Sequence, residues 1–248
     1  MADGDDHDEA AAAASAAGEL LLRVRQRDFA DGGARKAAGD AEAHRFLVER
    51  LAGTRPGDAV LSEEGADDPR RLAADRVWIV DPLDGTREFS ELDRTDWAVH
   101  VALWAHGELV AGAVALPAEG ITLSTAAVVE PPPRSAGPLR LAVSRSRPPA
   151  LATDLAAQLH GELVAMGSAG VKAMSVVRGD TDAYVHGGGQ YEWDSAAPVA
   201  VARAAGLHTS RLDGSPLRYN QPDPYLPDLL ICRSELADQL IEALRTGL

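Results

Sequence analysis

The sequence predicts a layered α+β / α/β protein in two subdomains, the first α+β and the second α/β. Three observations support this prediction. Two helical segments open the chain, closely spaced apolar strands with turn residues between them follow, and strands then alternate with helices. The prolines at 131–133 lie where the second pattern gives way to the third. We therefore expect subdomains over residues 9–133 and 134–248.

The composition excludes several classes of protein. The chain has 248 residues, 46% hydrophobic and 25% charged, with a formal net charge of −14. Binding to nucleic acid or anionic membrane is driven by clustered cations, so we expect neither partner. No apolar run reaches the roughly 18 residues needed to span a bilayer. A single cysteine, Cys232, excludes a disulfide framework and favours a reducing cytoplasm.

Residues 1–8 are predicted to be a disordered acidic tail, with two helices after it. Four aspartates lie in this segment, where water would solvate their charges. Residues 9 to about 24 are rich in Ala and Leu, and apolar residues recur at helical spacing over residues 40–51. Because Asp is a preferred N-cap residue, Asp40 is expected to cap the second helix.

Short apolar runs bounded by turn residues predict the strands. In the first subdomain these cover residues 59–61 and 77–80, then a meander over 97–104, 109–116 and 121–129. In the second, strands at 139–143, 163–166 and 183–185 alternate with helices at 150–159, 171–178 and 195–205. Acidic residues follow directly after the first two strands, which places carboxylates at strand ends.

The most informative stretch is Asp-Pro-Leu-Asp-Gly-Thr at residues 81–86. The proline fixes the backbone between two carboxylates, and the glycine permits a tight turn. Asp81 could then bridge two cations while Asp84 holds one of them, with the Leu83 carbonyl as a further ligand. Oxygen donors without Cys or His favour Mg²⁺ over Zn²⁺. Taken alone, the same run is equally typical of a surface turn.

Two further carboxylates favour the metal site. Glu63 ends the preceding strand, and Asp194 begins a predicted helix. If they converge with the two motif carboxylates, the four groups would form a cage for two or three divalent cations. Without metal, four converging carboxylates would repel one another strongly. Two metals about 3.5–4 Å apart supply what hydrolysis of a phosphate monoester requires. No residue resembles an activated nucleophile, so we expect no covalent phospho-enzyme.

The order of these motifs resembles the inositol monophosphatase superfamily, with Glu63-Glu64 before residues 81–86 and Trp-Asp-Ser-Ala-Ala-Pro at 193–198 after them. Within it, residues 86–89, 143–147 and 167–174 are most similar to the CysQ-type 3′-phosphoadenosine 5′-phosphate phosphatases. The resemblance covers the chain from residue 15 onward. It implies an αβαβα sandwich and Mg²⁺-dependent removal of the 3′-phosphate from this nucleotide or its 5′-phosphosulfate, in sulfur assimilation, yielding AMP or adenosine 5′-phosphosulfate.

The resemblance also implies roles for the matching residues. Metal ligands would be Glu63, Asp81, Asp84, Asp194 and the Leu83 carbonyl. Water activation would depend on Asp40 and Thr86, with Glu63 nearby. The residues expected to contact substrate are Leu83, Gly85, Thr86, Ser144, Arg145, Arg147, Gly167, Ser168, Lys172 and Asp194. Relatives of this kind tend to be inhibited by Li⁺ competing at a magnesium position, so we expect lithium sensitivity.

Substrate choice depends on the basic residues. A second phosphate needs cationic or amide donors, and Arg145, Arg147 and Lys172 lie in segments that should supply them. Ser168 is expected to cap a helix whose neighbouring amides hold an anion. The alternative is that residues 144–147 form a solvated loop and that Lys172 is a surface lysine.

Two other functions stay open. One is a broad-specificity inositol monophosphatase or fructose 1,6-bisphosphatase. The other is a non-catalytic nucleotide or metal sensor. Asp40 and Thr86 argue against a sensor, because they serve water activation more than binding. The seven histidines contain no zinc-type pairing and are expected to be surface or core residues. The sequence does not fix the oligomeric state, for which a homodimer is one candidate.

Overall fold

The computed structural model describes residues 4–247. Its helices are α1 (Gly4–Arg25), α2 (Gly32–Thr54), α3 (Thr86–Ser90), α4 (Ala150–Gln158), α5 (Ala169–Arg178), α6 (Glu192–Ala204) and α7 (Ala237–Gly247). Its strands are β1 (Ala59–Ser62), β2 (Arg76–Asp84), β3 (Ala98–Ala105), β4 (Glu108–Leu116), β5 (Ile121–Ser124), β6 (Arg140–Ser144), β7 (Glu162–Met166), β8 (Ala183–Tyr191), β9 (His208–Ser210) and β10 (Tyr225–Cys232).

The strands form two five-stranded sheets. The first has the order β1-β2-β3-β4-β5, with β1 parallel to β2 and the remaining pairs antiparallel. The second has the order β7-β6-β8-β10-β9, in which β6 is parallel to both β7 and β8, and β10 is antiparallel to β8 and β9. The predicted meander is therefore present, although β5 ends at Ser124 rather than at residue 129.

Three apolar clusters define the layers. One face of β2 carries Trp78 and Val80 into a cluster with α1 and α2. Its other face carries Val77 and Ile79 into a second cluster, in which α5 and α6 lie between the sheets. The outer face of the second sheet packs against α4 and α7. Because successive strand residues point to opposite faces, each sheet buries both sides, which gives the αβαβα order.

The first turn of the chain differs from the prediction. Residues 4–8 belong to α1, and Asp6 is buried, accepting hydrogen bonds from Arg55 at 3.2 Å and Arg76 at 2.8 Å. The prediction of a disordered tail is wrong for these residues, because two distant arginines neutralise the buried charge. Residues 1–3 of that predicted tail lie outside the described residues.

Asp40 does not cap α2. The helix begins at Gly32, and Asp31 is its N-cap, accepting a hydrogen bond from the Ala34 amide at 2.8 Å. Asp40 lies inside the helix, beside Gly39. A side chain at Gly39 would collide with Leu83 and Phe89, so the glycine lets α2 pack closely against the residues of the 81–86 motif.

The chain passes from the first sheet to the second between Ser124 and Arg140, a segment that contains the proline triplet. Helices α5 and α6 contact both sheets. The subdomain boundary at residue 133 stays a prediction. Within residues 4–247, no helix has both the length and the apolar character required to cross a membrane.

Candidate active site

The 81–86 motif interrupts the pairing of β2 with β3. Asp81 pairs with His100 and Asp84 with Ala98, so the register shifts between them. Pro82 has no backbone donor to give to the ladder, and the Leu83 amide donates instead to the Asp81 carboxylate at 3.0 Å. Gly85 then adopts a left-handed φ of 85°, and α3 begins. The motif therefore turns both carboxylates out of the sheet ladder.

Three carboxylates converge at this point. One oxygen each from Asp81, Asp84 and Asp194 can be chosen so that all lie within 4.8 Å of one another. Asp81 and Asp84 are buried at the end of β2, and Asp194 lies in the first turn of α6, where the Tyr191 amide donates to it at 2.7 Å. The structure thus brings together carboxylates from both halves of the sequence.

The cluster fits a cation. The Oδ2 atom of Asp81 is buried and has no hydrogen-bond partner among the described residues. A buried carboxylate oxygen without a partner is costly, and a divalent cation would satisfy it. The donors are all hard oxygens, which suit Mg²⁺ or a similar ion. Glu63 lies at the rim of the same cavity, directly after β1, and is exposed.

The pKa values of the cluster reflect its crowding. Burial and the neighbouring carboxylates of Glu63 and Asp84 raise the pKa of Asp81 well above its usual range. Burial, together with Asp84, raises the pKa of Asp194 to about 6. Partial burial of its carboxyl group and the charge of Asp194 raise the pKa of Glu63 to about 7. Without a cation, these carboxyl groups therefore keep their protons to a higher pH than ordinary carboxyl groups do. Bound metal would displace those protons.

Asp84 is the exception, because it is surrounded by donors. Burial opposes its ionisation, but the nearby charges of His100 and Lys172 and the Gly170 amide lower the pKa of Asp84. The Ser168 hydroxyl donates to its carboxylate at 2.5 Å, and the amides of Ala169 and Gly170 donate at 3.1 and 2.6 Å. The charge of Asp84 is therefore held in place at the N-terminus of α5.

This arrangement changes the expected role of Ser168. Ser168 is the N-cap of α5, as predicted, and accepts from the Val171 amide at 3.1 Å. The anion that the structure places at this helix terminus is the Asp84 carboxylate, and contact of Ser168 with substrate stays a prediction. The prediction treated the amides as free because the sequence cannot show which carboxylate reaches them.

Lys172 and Gly167 build the turn before α5. The Lys172 ammonium donates to the carbonyls of Gly167 and Ser168, and the residue is only 6% exposed. The alternative of a surface lysine is therefore wrong. The Gly167 amide donates to Asp96 at 2.6 Å, and a side chain at Gly167 would collide with Glu88. Both residues line the cavity while also fixing the backbone next to Asp84.

The two candidate arginines differ. The Arg145 guanidinium donates to Glu88 at 2.7 Å and to Glu91 at 2.9 Å, and Arg145 is absent from the cavity wall. It belongs to this ion-pair cluster, and its contact with substrate stays a prediction. Arg147 and Ser144 line the cavity, and the Arg147 amide donates to the Ser144 hydroxyl at 3.3 Å. In the described part of the chain, the exposed guanidinium of Arg147 has no ionic partner.

Thr86 ends the motif and Asp40 lies near it, but neither residue lines the cavity. Asp40 is half-buried in α2, and burial, with the charge of Glu64, raises the pKa of Asp40 to about 6. Thr86 is half-buried at the start of α3. Within residues 4–247 no hydrogen bond joins their side chains, so their expected pairing stays a prediction.

The cavity has a volume of about 770 Å³. Carboxylates lie on one side, and the remaining wall includes Ser144, Arg147, Tyr184, His186, Gln190, Tyr191 and Trp193. Gln190 was not among the predicted residues, because an isolated glutamine carries no motif signal. His100 was also missed. It is buried in β3, and the only available signal is its pairing with Asp81, which becomes visible once the two strands are aligned.

The comparison with known proteins identifies the family. Residues 5–247 match the model of the inositol monophosphatase family. The chain belongs to this family. Inositol monophosphatase family members are metal-dependent, in agreement with the acidic cluster. The resemblance stated from the motifs is thereby confirmed, and so is the layered fold.

Similar proteins are found in several bacteria. A relative from Mycobacterium leprae named 3′-phosphoadenosine 5′-phosphate phosphatase is 55% identical over 252 residues, covering 95% of this chain and 92% of the relative. The 3′(2′),5′-bisphosphate nucleotidase CysQ of Escherichia coli K12 is 32% identical over 202 residues, covering 76% of this chain and 81% of that protein. The crystal structure of CysQ from Bacteroides thetaiotaomicron has a TM-score of 0.79 at 27% identity, covering 93% of this chain and 97% of that chain.

Proposed function

We propose that this inositol monophosphatase family protein is a Mg²⁺-dependent phosphatase that hydrolyses the 3′-phosphate of 3′-phosphoadenosine 5′-phosphate to AMP. The observation that carries the proposal is the carboxylate cluster with the unpartnered Asp81 oxygen, which lies beside a nucleotide-sized cavity. The names of the relatives from Mycobacterium leprae and Escherichia coli support the substrate class. The 5′-phosphosulfate is a second substrate in the same proposal, which places the enzyme in sulfur assimilation.

Two or three Mg²⁺ ions would be held by Glu63, Asp81, Asp84, Asp194 and the Leu83 carbonyl. Bound there, the ions supply charge neutralisation at the phosphoryl oxygens and make a water molecule more acidic. Asp81 and Asp84 would hold the ions at the end of β2, because both are buried and donors constrain the position of Asp84. Gly85 and Thr86 follow directly, so the start of α3 is placed to contact the substrate phosphate.

In this proposal, proton transfer is carried out by carboxylates whose pKa is raised toward neutral pH. The pKa of Asp40 is raised to about 6, so its carboxylate accepts a proton readily near neutral pH. Asp40 would act through Thr86, and Glu63 would act from the rim. In the described cavity wall, the Ser168 hydroxyl donates to Asp84, whose lowered pKa makes it a poor base. Water would therefore attack the phosphorus directly, and no phospho-enzyme would form.

Arg147 would neutralise the second phosphate of the substrate. It is the cation of the cavity wall whose guanidinium has no ionic partner among residues 4–247, whereas Arg87, the other arginine there, pairs with Glu91 at 3.2 Å. A cationic group in the cavity wall favours a bisphosphate over a monophosphate, because it binds the phosphate group that does not react.

The test is kcat/KM for phosphate release with Mg²⁺ from three substrates in parallel: 3′-phosphoadenosine 5′-phosphate, inositol 1-phosphate and fructose 1,6-bisphosphate. The Asp84→Asn protein serves as the blank. We expect a preference of about 100-fold for the nucleotide, roughly 2.7 kcal/mol of transition-state discrimination. Comparable rates on all three would support a broad-specificity phosphatase, and no release from any of them would support a non-catalytic binding protein.

A further inference from the structure

Gln190 is an unusual buried side chain. It is only 7% exposed, it lines the active-site cavity, and neither its amide nitrogen nor its amide oxygen has a hydrogen-bond partner. Over residues 4–247, no other buried side chain keeps both a free donor and a free acceptor. Buried polar groups without partners are rare because they cost free energy, so a ligand that pairs with them gains affinity.

The local backbone fixes the position of Gln190. The residue lies in β8 and pairs with Leu226 of β10, directly after a register shift between these strands. Two glycines precede it with positive φ, 107° at Gly188 and 92° at Gly189. A side chain at Gly189 would collide with the Tyr225 ring. The glycines thus allow the strand to bend sharply and then to resume pairing at Gln190.

Aromatic rings lie beside Gln190 in the same wall. Tyr191 stacks on Trp193 with ring centroids 4.8 Å apart and an interplanar angle of 10°. Tyr191 is 46% exposed, so much of its surface is open to solvent. Aromatic side chains with an open face bind flat heterocycles by stacking. The wall therefore combines a stacking surface with a donor and acceptor pair.

A carboxamide pairs with a flat ring whose edge carries a donor beside an acceptor, and it can turn over to match either order. Adenine presents an amino donor next to a ring-nitrogen acceptor, and a glutamine side chain pairs with both through its oxygen and its NH₂ group. Guanine reverses this pattern on its pairing edge. Inositol and fructose phosphates have no flat ring, so they would leave both the amide and the rings of this wall unused.

We propose that Gln190 determines specificity for the adenine ring of the substrate, with Tyr191 and Trp193 as the stacking surface. The inference rests on the proposed function and deepens it. It assigns recognition of the nucleobase to the β8–α6 junction. The metal cluster would act on the 3′-phosphate whichever base the substrate carries.

The test compares wild type, Gln190→Leu and Gln190→Glu on three bisphosphates: 3′-phosphoadenosine 5′-phosphate, the guanosine analogue and an abasic analogue with hydrogen in place of the base. Gln239→Leu, an exposed position in α7, is the matched control. We expect Gln190→Leu to lower kcat/KM for the adenosine substrate by about tenfold to a hundredfold. The abasic analogue should change by less than about threefold.

Gln190→Glu keeps the size of the side chain and loses its donor, so it guards against a folding defect in the leucine variant. We expect it to lower the ratio of adenosine to guanosine kcat/KM, because a carboxylate accepts from the guanine pairing edge. An equal loss on adenosine and abasic substrates, or no loss on either, would overturn the inference while leaving the proposed function intact. A wild-type enzyme that prefers inositol 1-phosphate would overturn both.

Discussion

The imidazole of His100 connects Asp84 to the N-terminus of α6. Its Nε2 atom lies 3.1 Å from the Asp84 carboxylate, and its Nδ1 group donates to the Trp193 carbonyl at 3.1 Å. Trp193 immediately precedes Asp194, and the His100 side chain is fully buried. The His100 ring therefore contacts the metal-ligand candidate Asp84 directly and the backbone next to the candidate Asp194. These two aspartates lie on opposite sides of the sequence midpoint.

Replacing His100 with Phe should weaken metal binding. The variant keeps a ring of similar size and loses both polar contacts, so Asp84 and Asp194 would be less firmly positioned. Loss of such supporting contacts typically costs tenfold to a hundredfold in metal affinity or activity. We expect a loss of about this size in Mg²⁺ affinity, measured by calorimetry, and a higher Mg²⁺ requirement for turnover.

His106→Phe is the matched control, because that imidazole is exposed and lies at the β3–β4 turn. The control should bind Mg²⁺ as wild type does. Unchanged affinity and unchanged activity in His100→Phe would show that the two 3.1 Å contacts do not position the ligands.

Metal binding should be coupled to pH through the carboxylate cluster. The pKa values of Glu63 and Asp194 are raised to about 7 and about 6, and that of Asp81 is raised well above its usual range. Between about pH 4 and 7, the folded protein therefore holds protons that the unfolded chain has released. The contribution of these groups to the free energy of unfolding falls as the pH rises through this window.

Because Mg²⁺ binds the ionised carboxylates, we expect it to raise Tm more at pH 8 than at pH 5. The comparison is made by calorimetry on metal-free and Mg²⁺-loaded protein at constant ionic strength. Taking the difference between loaded and metal-free samples cancels the titration of distant groups. An equal increase at both pH values would contradict the raised pKa values of the cluster.

The two arginines of residues 144–147 should respond differently to replacement. Arg147→Gln removes the unpaired cation of the cavity, so KM for the bisphosphate should rise by about tenfold, the effect of a lost charge-assisted hydrogen bond. The monophosphate 3′-AMP should be affected much less. Arg145→Gln instead leaves Glu88 without its partner. Its effect should be the same on both substrates and should accompany a lower Tm.

Equal responses of the two variants would contradict this assignment. A substrate-selective effect of Arg145→Gln alone would reverse it. Steady-state kinetics on both substrates, with thermal unfolding of each variant, separates the three outcomes.

The sequence predicts those parts of the site that depend on local spacing. Asp81 and Asp84 are fixed by the motif that contains them, and Asp194 by the start of its helix. Most strands and helices were also predictable, because apolar runs mark them, whereas the αβαβα layering was implied by the family resemblance. Strands β9 and β10 and helix α7 were not predicted. β9 is only three residues long, and Pro227 interrupts the pattern of β10.

The partners of charged side chains could not be predicted, because tertiary structure chooses them. Arg145 and Arg147 are nearby residues of the same type, yet Glu88 and Glu91 neutralise the first, and the second has no ionic partner among residues 4–247. Asp6 was taken for a solvated residue for the same reason: its arginine partners lie far along the chain. Gln190 became visible as a site residue only when the sheets placed it in the cavity wall, and His100 only when they placed it against Asp84.

The capping of α5 by Asp84 has a consequence for biosynthesis. The carboxylate from β2 completes a helix that the ribosome makes much later, and that helix in turn supplies the amides that fix the carboxylate. Asp194 emerges later still. A nascent chain therefore exposes isolated carboxylates and no assembled cage until most of its length has been translated. We therefore expect a cation to bind only after folding, and contacts so distant in sequence slow that folding.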